Sequence, residues 1–185
     1  MKLIINLFFS ELSWFLARNK LKKIKLIVFD LDGVMTDGYI YINDQGDQIK
    51  RFNVKDGLGI KILQLNRFEI AIISGGKGDV AKQRLKDLNI KYYFFQVKNK
   101  KECLKEIQGE LKLGKDKTLY VGDDLNDLPV KNEVSLLVGT NDANYEFKRK
   151  CDLVLRSKGG NNAVREITER LVEKTISYKK ILKNG

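Results

Sequence analysis

Histidine is absent from the 185 residues. Its absence excludes a Ser-His-Asp triad, a Cys-His pair and histidine-ligated zinc. Only two cysteines occur, Cys103 and Cys151, far apart and without CxxC spacing. They read as reduced, partly buried thiols of a cytoplasmic protein. Proline is almost missing too: Pro129 stands alone, and neither a low-complexity linker nor an internal repeat divides the chain. No long apolar run is present. The N-terminal stretch MKLIINLFFSELSWFLARNK is broken by Asn6, Ser10, Glu11 and Ser13, too short and too polar to span a bilayer. It also lacks a small-x-small cleavage site. It reads as a helical extension over residues 1–22, packed on the domain or lying on a partner. Membrane-surface contact is an alternative for it, because Trp14 and Phe15 precede the basic run Arg18, Lys20, Lys22, Lys23.

Charge of one sign is in excess, with 35 Lys and Arg against 24 Asp and Glu, a formal +11. Residues 1–25 contribute +5, residues 174–185 contribute +4, and residues 26–173 only +2. The excess sits in the ends and reads as solvated Lys-rich tails. A nucleic-acid groove needs clustered basic residues with interleaved aromatics, so no nucleic-acid partner is expected. The implied organisation is an extension over 1–22, one domain over 23–173 and a basic tail over 174–185.

From residue 24 onward short apolar runs alternate with amphipathic stretches. IKLIVFDL (24–31) reads as a buried strand, and 39–44 and 47–54 alternate around Gln45-Gly46 as a β-hairpin. Further strands are expected at 69–74, 91–95, 118–122, 134–138 and 152–156. Helices are expected at 57–67, 78–90, 99–111, near 125–130, near 143–150 and from about 162. This alternation predicts an α/β fold, a doubly wound, Rossmann-like parallel sheet with helices on both faces and a small β-hairpin insertion. Ligands of such sheets bind outside the carboxyl ends of the strands. The polar residues ending the apolar runs are Asp30 and Asp32, then Ser74, then Lys100 beyond the third run, then Asp123, Asp124 and Asp127.

Asp30 and Asp32 are two residues apart at a strand exit, where i and i+2 face the same way. Close carboxylates repel and one pKa rises unless a cation intervenes. With Asp123 and Asp124 adding charge, the cluster calls for a hard cation, and Mg²⁺ suits oxygen ligands. A phosphoryl group in transfer spreads charge over three oxygens. The metal, the Ser74 hydroxyl and the Lys100 ammonium can each hold one, and backbone N–H groups in the turn after Asp30, helped by Gly33, add donors. One carboxylate can then attack phosphorus and form an acyl phosphate, with the other as acid and base, worth ~10²–10⁴-fold. The spacing suits Asp30 as nucleophile and Asp32 as acid/base. Asp124 and Asp127 are candidates to orient Asp123, Lys100 or metal waters, and Asp37 shapes the loop.

In their order, FDLDGVMTDG (29–38), IISGG (72–76), Lys100 and VGDDLND (121–127) resemble the four motifs of the haloacid dehalogenase superfamily of phosphatases. The resemblance implies Asp30 as nucleophile, and Mg²⁺ held by the Asp30 side chain, the Asp32 backbone carbonyl and the Asp123 side chain. The intervals from Asp30 to Ser74 and from Lys100 to Asp123 leave no room for a cap domain, so the chain resembles the capless subgroup. An open site excludes water poorly. A neighbouring subunit can close it, with hairpin 39–53 as the candidate interface. FNVKDGLGI (52–60), GDDLNDLPV (122–130) and GGNNAVREI (159–167) resemble the 3-deoxy-D-manno-octulosonate (KDO) 8-phosphate phosphatases, over about residues 22–172. That resemblance implies a cytoplasmic homotetramer acting on a small phosphorylated sugar acid, in the synthesis of a lipopolysaccharide precursor. It implies substrate-binding residues Gly33, Asn53, Val54, Lys55, Asp56, Gly57, Lys61, Gly75 and Arg84, beside Lys100.

The chain departs from that family at Gly76, where close relatives have an Arg that contacts the sugar acid. Glycine cannot reproduce a bidentate grip on a carboxylate, and Lys77 is a partial substitute. Lys61 replaces a frequent Arg, and Asn161 and Asn162 replace Arg-Gly. These departures keep a related nononate (sialic-acid-like) 9-phosphate, or another sugar phosphate, open as the substrate. A phosphoreceiver or scaffold domain is the non-enzyme alternative. In a receiver, though, the acidic pair precedes the phosphorylated Asp, and here the nucleophile candidate comes first.

Overall fold

Strand formation follows the apolar runs, and the computed structural model describes residues 11–172. The strands are β1 (Leu26–Phe29), β2 (Tyr41–Ile42), β3 (Gln48–Ile49), β4 (Glu69–Ile73), β5 (Tyr92–Phe94), β6 (Thr118–Gly122), β7 (Leu136–Gly139) and β8 (Leu153–Val154). Six of them make one parallel sheet in the order β5-β4-β1-β6-β7-β8, and β2 and β3 form the separate hairpin. The helices are α1 (Arg18–Leu21), α2 (Val54–Leu65), α3 (Asp79–Asp87), α4 (Lys100–Leu111), α5 (Tyr145–Lys150) and α6 (Ala163–Leu171). Strand order reverses between β1 and β6, so a crevice opens beyond their carboxyl ends.

Both faces of the sheet are covered, as expected of parallel strands read as continuous apolar runs. Ile27, Phe29, Ile72 and Val121 pack on one side against Leu63 of α2, Leu85 of α3 and Ile167 of α6. Val28, Ala71, Ile73 and Tyr120 pack on the other against Leu104 and Ile107 of α4 and Phe147 of α5. Each large side chain so buried stabilises by ~1.5–3 kcal/mol. α2 and α6 lie close because Gly59 has no side chain: a Cβ there would stand 2.9 Å from Thr168 Oγ1 and 3.3 Å from Arg165 Cα.

Several boundaries differ from the expectation. The first strand stops at Phe29, since the chain turns sharply over Leu31–Met35, with Gly33 at φ +86°. The hairpin strands shrink to two residues each, joined to the domain by the isolated bridge Thr36–Phe52. α2 starts three residues before the expected helix, because the Asn53 side chain caps it by accepting from Lys55 N at 2.8 Å. The segment with Pro129 is a 3-10 run over Leu125–Glu133. In the N-terminal extension, residues 11–16 are helical and lead into α1. The extension packs on the domain, with Trp14 only 4% exposed in the core. The rest of the extension and the basic tail lie outside the described residues. Among the described residues no helix is long and apolar enough to cross a membrane.

Candidate active site

A cavity of about 320 Å³ opens at the crevice, lined by Asp30, Asp32, Gly38, Ser74, Gly75, Gly76, Asp123, Asp124 and Asn126. The tips of β1, β4 and β6 supply most of these groups. Lys100 lies beneath as the first residue of α4, whose N-terminus is capped by Asn99 accepting from Glu102 N at 3.3 Å. Lys100 is 4% exposed, and its ammonium bridges Asp30 Oδ1 at 2.9 Å and Asp127 Oδ1 at 2.7 Å. Asp127 is fully buried and also accepts from the Tyr120 hydroxyl at 2.7 Å and from Asp123 N at 3.0 Å. It therefore orients Lys100 and the Asp123 backbone. The Asp124 carboxylate accepts from Leu125 N at 2.7 Å, starting the 3-10 run that carries Asp127.

Negative charge in the cavity is under-compensated. Burial, then the Asp127 carboxylate, push Asp30 up to about 6 against the pull of Lys100. Burial, then Asp30, Asp127 and Asp124, push Asp123 up to about 8. Burial alone would lower Lys100, but the two carboxylates outweigh it and raise its pKa. Carboxylate oxygens of Asp30, Asp123 and Asp127 lie within 4.8 Å of one another. Those of Asp127 are engaged by Lys100, Tyr120 and backbone N–H groups, which leaves Asp30 and Asp123 to hold an ion. A hard divalent cation such as Mg²⁺ fits an all-oxygen donor set with this charge deficit. Gly33 is required by both its φ and its surroundings, because a Cβ there would overlap the Asp123 carboxylate.

Asp32 takes up two partners. Its carboxylate accepts from the Thr36 hydroxyl at 3.3 Å and from Lys50 Nζ at 2.5 Å. Sequence reasoning missed Lys50: it lies in the polar hairpin, 18 residues from Asp32, and no spacing rule connects them. Gly38, Asn126 and Tyr120 were missed as well. Asn126 stands inside the quoted VGDDLND motif, so its position was a usable signal. The hydroxyl of Ser74, itself 1% exposed, accepts from Gly76 N at 3.1 Å. A side chain at Gly76 would press on Asp32 and Ser74, with its Cβ 3.0 Å from Asp32 Oδ2 and 3.5 Å from Ser74 Oγ. Asp37 receives the Tyr41 hydroxyl at 2.7 Å and pairs with Arg51 at 3.0 Å, tying the hairpin to the loop.

The other sequence-derived candidates are not brought to this cavity within one chain. Asn53 caps α2, and Val54, Lys55 and Lys61 are exposed. Asp56 is buried and accepts from Asn162 N at 3.2 Å and Arg165 N at 2.8 Å, so it joins α2 to the start of α6. Burial raises its pKa, opposed by those backbone bonds. Gly57 leaves the space in which the Arg84 guanidinium lies. Lys55 instead lines a cavity of about 750 Å³ with Arg156, Asn162 and Arg165. The departing segment 159–162 supports the first loop: Gly160 N donates to Val34 O at 2.9 Å, and a Cβ at Gly159 would overlap the Gly33 carbonyl.

No protein-family model matches the chain. The 3-deoxy-D-manno-octulosonate 8-phosphate phosphatase of Escherichia coli K12 is 37% identical over 153 residues, 83% of this chain and 81% of that protein. A haloacid dehalogenase-superfamily hydrolase of subfamily IIIA from Legionella pneumophila has a similar solved structure. Its TM-score is 0.89 at 30% identity, over 95% of this chain and 99% of that one. The structure of the phosphatase from Moraxella catarrhalis, with a magnesium ion, a phosphate ion and a KDO molecule, has a TM-score of 0.83 at 29% identity. It covers 90% of this chain and 96% of that one.

Proposed function

The chain belongs to the 3-deoxy-D-manno-octulosonate 8-phosphate phosphatase family of the haloacid dehalogenase superfamily, and we propose that it hydrolyses KDO 8-phosphate through a phospho-aspartate on Asp30. The reading places it in the cytoplasm, in lipopolysaccharide precursor synthesis. The observation that carries it is the buried Lys100 bridge between Asp30 and Asp127, set below a cavity edged by Asp32, Ser74 and Asp123. Lys100 fixes the Asp30 carboxylate for attack, and an oxygen of that carboxylate forms the bond to phosphorus as the bond to the sugar oxygen breaks. Asp32 in its protonated form gives the leaving oxygen its proton, then takes one from the water that hydrolyses the acyl phosphate. Ser74 donates its hydroxyl proton to a phosphoryl oxygen. The side chains of Asp30 and Asp123 and the carbonyl of Asp32 would hold Mg²⁺, which would supply positive charge to the phosphoryl oxygens.

The same reading gives a homotetramer. Tyr39, Ile40, Ile42 and Ile49 present the exposed apolar surface of the hairpin, a suitable subunit contact. Asn53, Val54, Lys55, Lys61 and Arg84 then serve a neighbour's cavity, with Asp56 and Gly57 holding that segment in place. A second substrate reading, a nononate 9-phosphate, is favoured by Gly76, which leaves open the space beside Asp32 and Ser74. The test is phosphate release, with Mg²⁺, from KDO 8-phosphate, a nononate 9-phosphate, neutral sugar phosphates and p-nitrophenyl phosphate, with Asp30→Asn beside wild type. KDO 8-phosphate is expected to have the highest kcat/KM and Asp30→Asn no turnover. An equally active Asp30→Asn protein would remove the mechanism, and a preference for the nononate would move the substrate.

A further inference from the structure

The fold sets residue 11 and the helix that follows it against the end of α6. Glu11 accepts from Arg170 of α6 at 2.6 and 2.9 Å and pairs with Arg156 at 2.7 Å. Arg170 also lies 4.7 Å from the centre of the Trp14 ring, and Trp14 Nε1 donates to Val154 O at 3.4 Å. Residue 11 therefore sits beside the end of α6, and in sequence the segments 1–10 and 173–185 lie beyond these two points. In sequence the first holds Lys2, no acid, and Leu3, Ile4, Ile5, Leu7, Phe8 and Phe9; the second holds four Lys against one Glu.

The helical stretch that begins at residue 11 is apolar on two sides. Trp14, Ala17 and Leu21, spaced i, i+3, i+7, pack into the core. Leu12, Phe15 and Leu16, spaced i, i+3, i+4, are 39%, 57% and 71% exposed. A helix apolar on both sides is one that is covered on both sides. Arg18, Lys20, Lys22, Lys23 and Lys25 follow, all exposed, with no acid between Leu12 and Lys25. That charge selects the covering partner. A second copy would set two acid-free basic clusters against each other, which is repulsive. A nucleic acid would satisfy the lysines but offers aliphatic side chains nothing to bury against. An anionic bilayer surface satisfies both, taking the apolar side chains at the acyl boundary and the basic ones among headgroups. We propose that the segment over residues 12–25 docks this protein on anionic lipid surfaces.

The proposal does not rest on the phosphatase reading, and none of its residues lines the catalytic cavity. Flotation of the full chain with phosphatidylcholine vesicles, with and without phosphatidylglycerol, tests it. The protein is expected to float with the anionic vesicles alone and to be released by salt. Leu12→Ser/Phe15→Ser/Leu16→Ser is expected to stay at the bottom with an unchanged melting temperature and unchanged p-nitrophenyl phosphate turnover. Lys20→Ala and Lys22→Ala are each expected to weaken partition about fivefold. No flotation with anionic vesicles at low salt, or flotation of the serine variant equal to wild type, would overturn the proposal. So would binding to RNA that survives the serine substitutions while vesicles are ignored.

Discussion

Replacing Lys100 by methionine removes an ammonium held between two buried carboxylates while keeping most of the side-chain volume. Its Nζ lies 2.9 Å from Asp30 and 2.7 Å from Asp127, and the residue is 4% exposed. Removing one partner of a buried pair leaves charge uncompensated and costs about 3–5 kcal/mol. For a domain of this size each kcal/mol lowers Tm by about 2–4 °C, so the metal-free variant should melt roughly 6–20 °C below wild type. The deficit should depend on pH. Lys100 lowers the pKa of both Asp30 and Asp123, which already stand at about 6 and about 8. Without it both rise further above the unfolded value of about 3.9. The native state then binds more protons than the unfolded one, so stability falls as pH rises through that window. The deficit should start to grow near about 6, the wild-type value of Asp30, and go on growing above about 8, the wild-type value of Asp123, until pH passes the raised values of the variant. Differential scanning calorimetry in EDTA across that range reads it. Asp127→Asn in the same background should restore part of the loss, giving a coupling of about 0.5–3 kcal/mol in the double-mutant cycle. A single variant melting within about 2 °C of wild type above that range would refute the account. So would a deficit that does not change with pH.

Mg²⁺ must displace protons from Asp30 and Asp123, so its affinity should rise with pH between about 6 and about 8. Calorimetric titration in buffers of different ionisation enthalpy should show proton release, and a pH-independent affinity would contradict the site. Gly33→Ala should lose metal binding and at least ~1 kcal/mol of stability, because a Cβ at φ +86° meets the Asp123 carboxylate; a denaturant melt and a metal titration check both. Lys50→Met should lower kcat more than it changes KM, since Lys50 holds Asp32; an unchanged kcat would remove that role. Burial pushes the Cys103 and Cys151 thiols up to about 11 and about 12. Native protein should therefore react slowly with iodoacetamide at neutral pH and quickly once unfolded, as mass spectrometry would read.

The sequence by itself determined the sheet, because continuous apolar runs can be buried only between two layers of helices. It also determined the order of the acidic, hydroxyl and ammonium groups, since the acids and the hydroxyl end apolar runs and the ammonium follows the third run. Local chemistry placed Gly33 in a turn and Asp30 at a strand tip. Tertiary structure alone decided which carboxylates share a counter-ion: Asp127 is held with Asp30 through Lys100, from 27 residues away. It decided the use of Asp56, whose neighbours in sequence do not reveal that it accepts from N–H groups more than 100 residues later. It decided that Lys50 reaches Asp32, and that Glu11 meets Arg170 at the end of α6. The physical reason is common to all four. Periodicity and spacing report what lies along one element, while partners across a fold depend on how loops close and helices pack, and no local pattern encodes that distance.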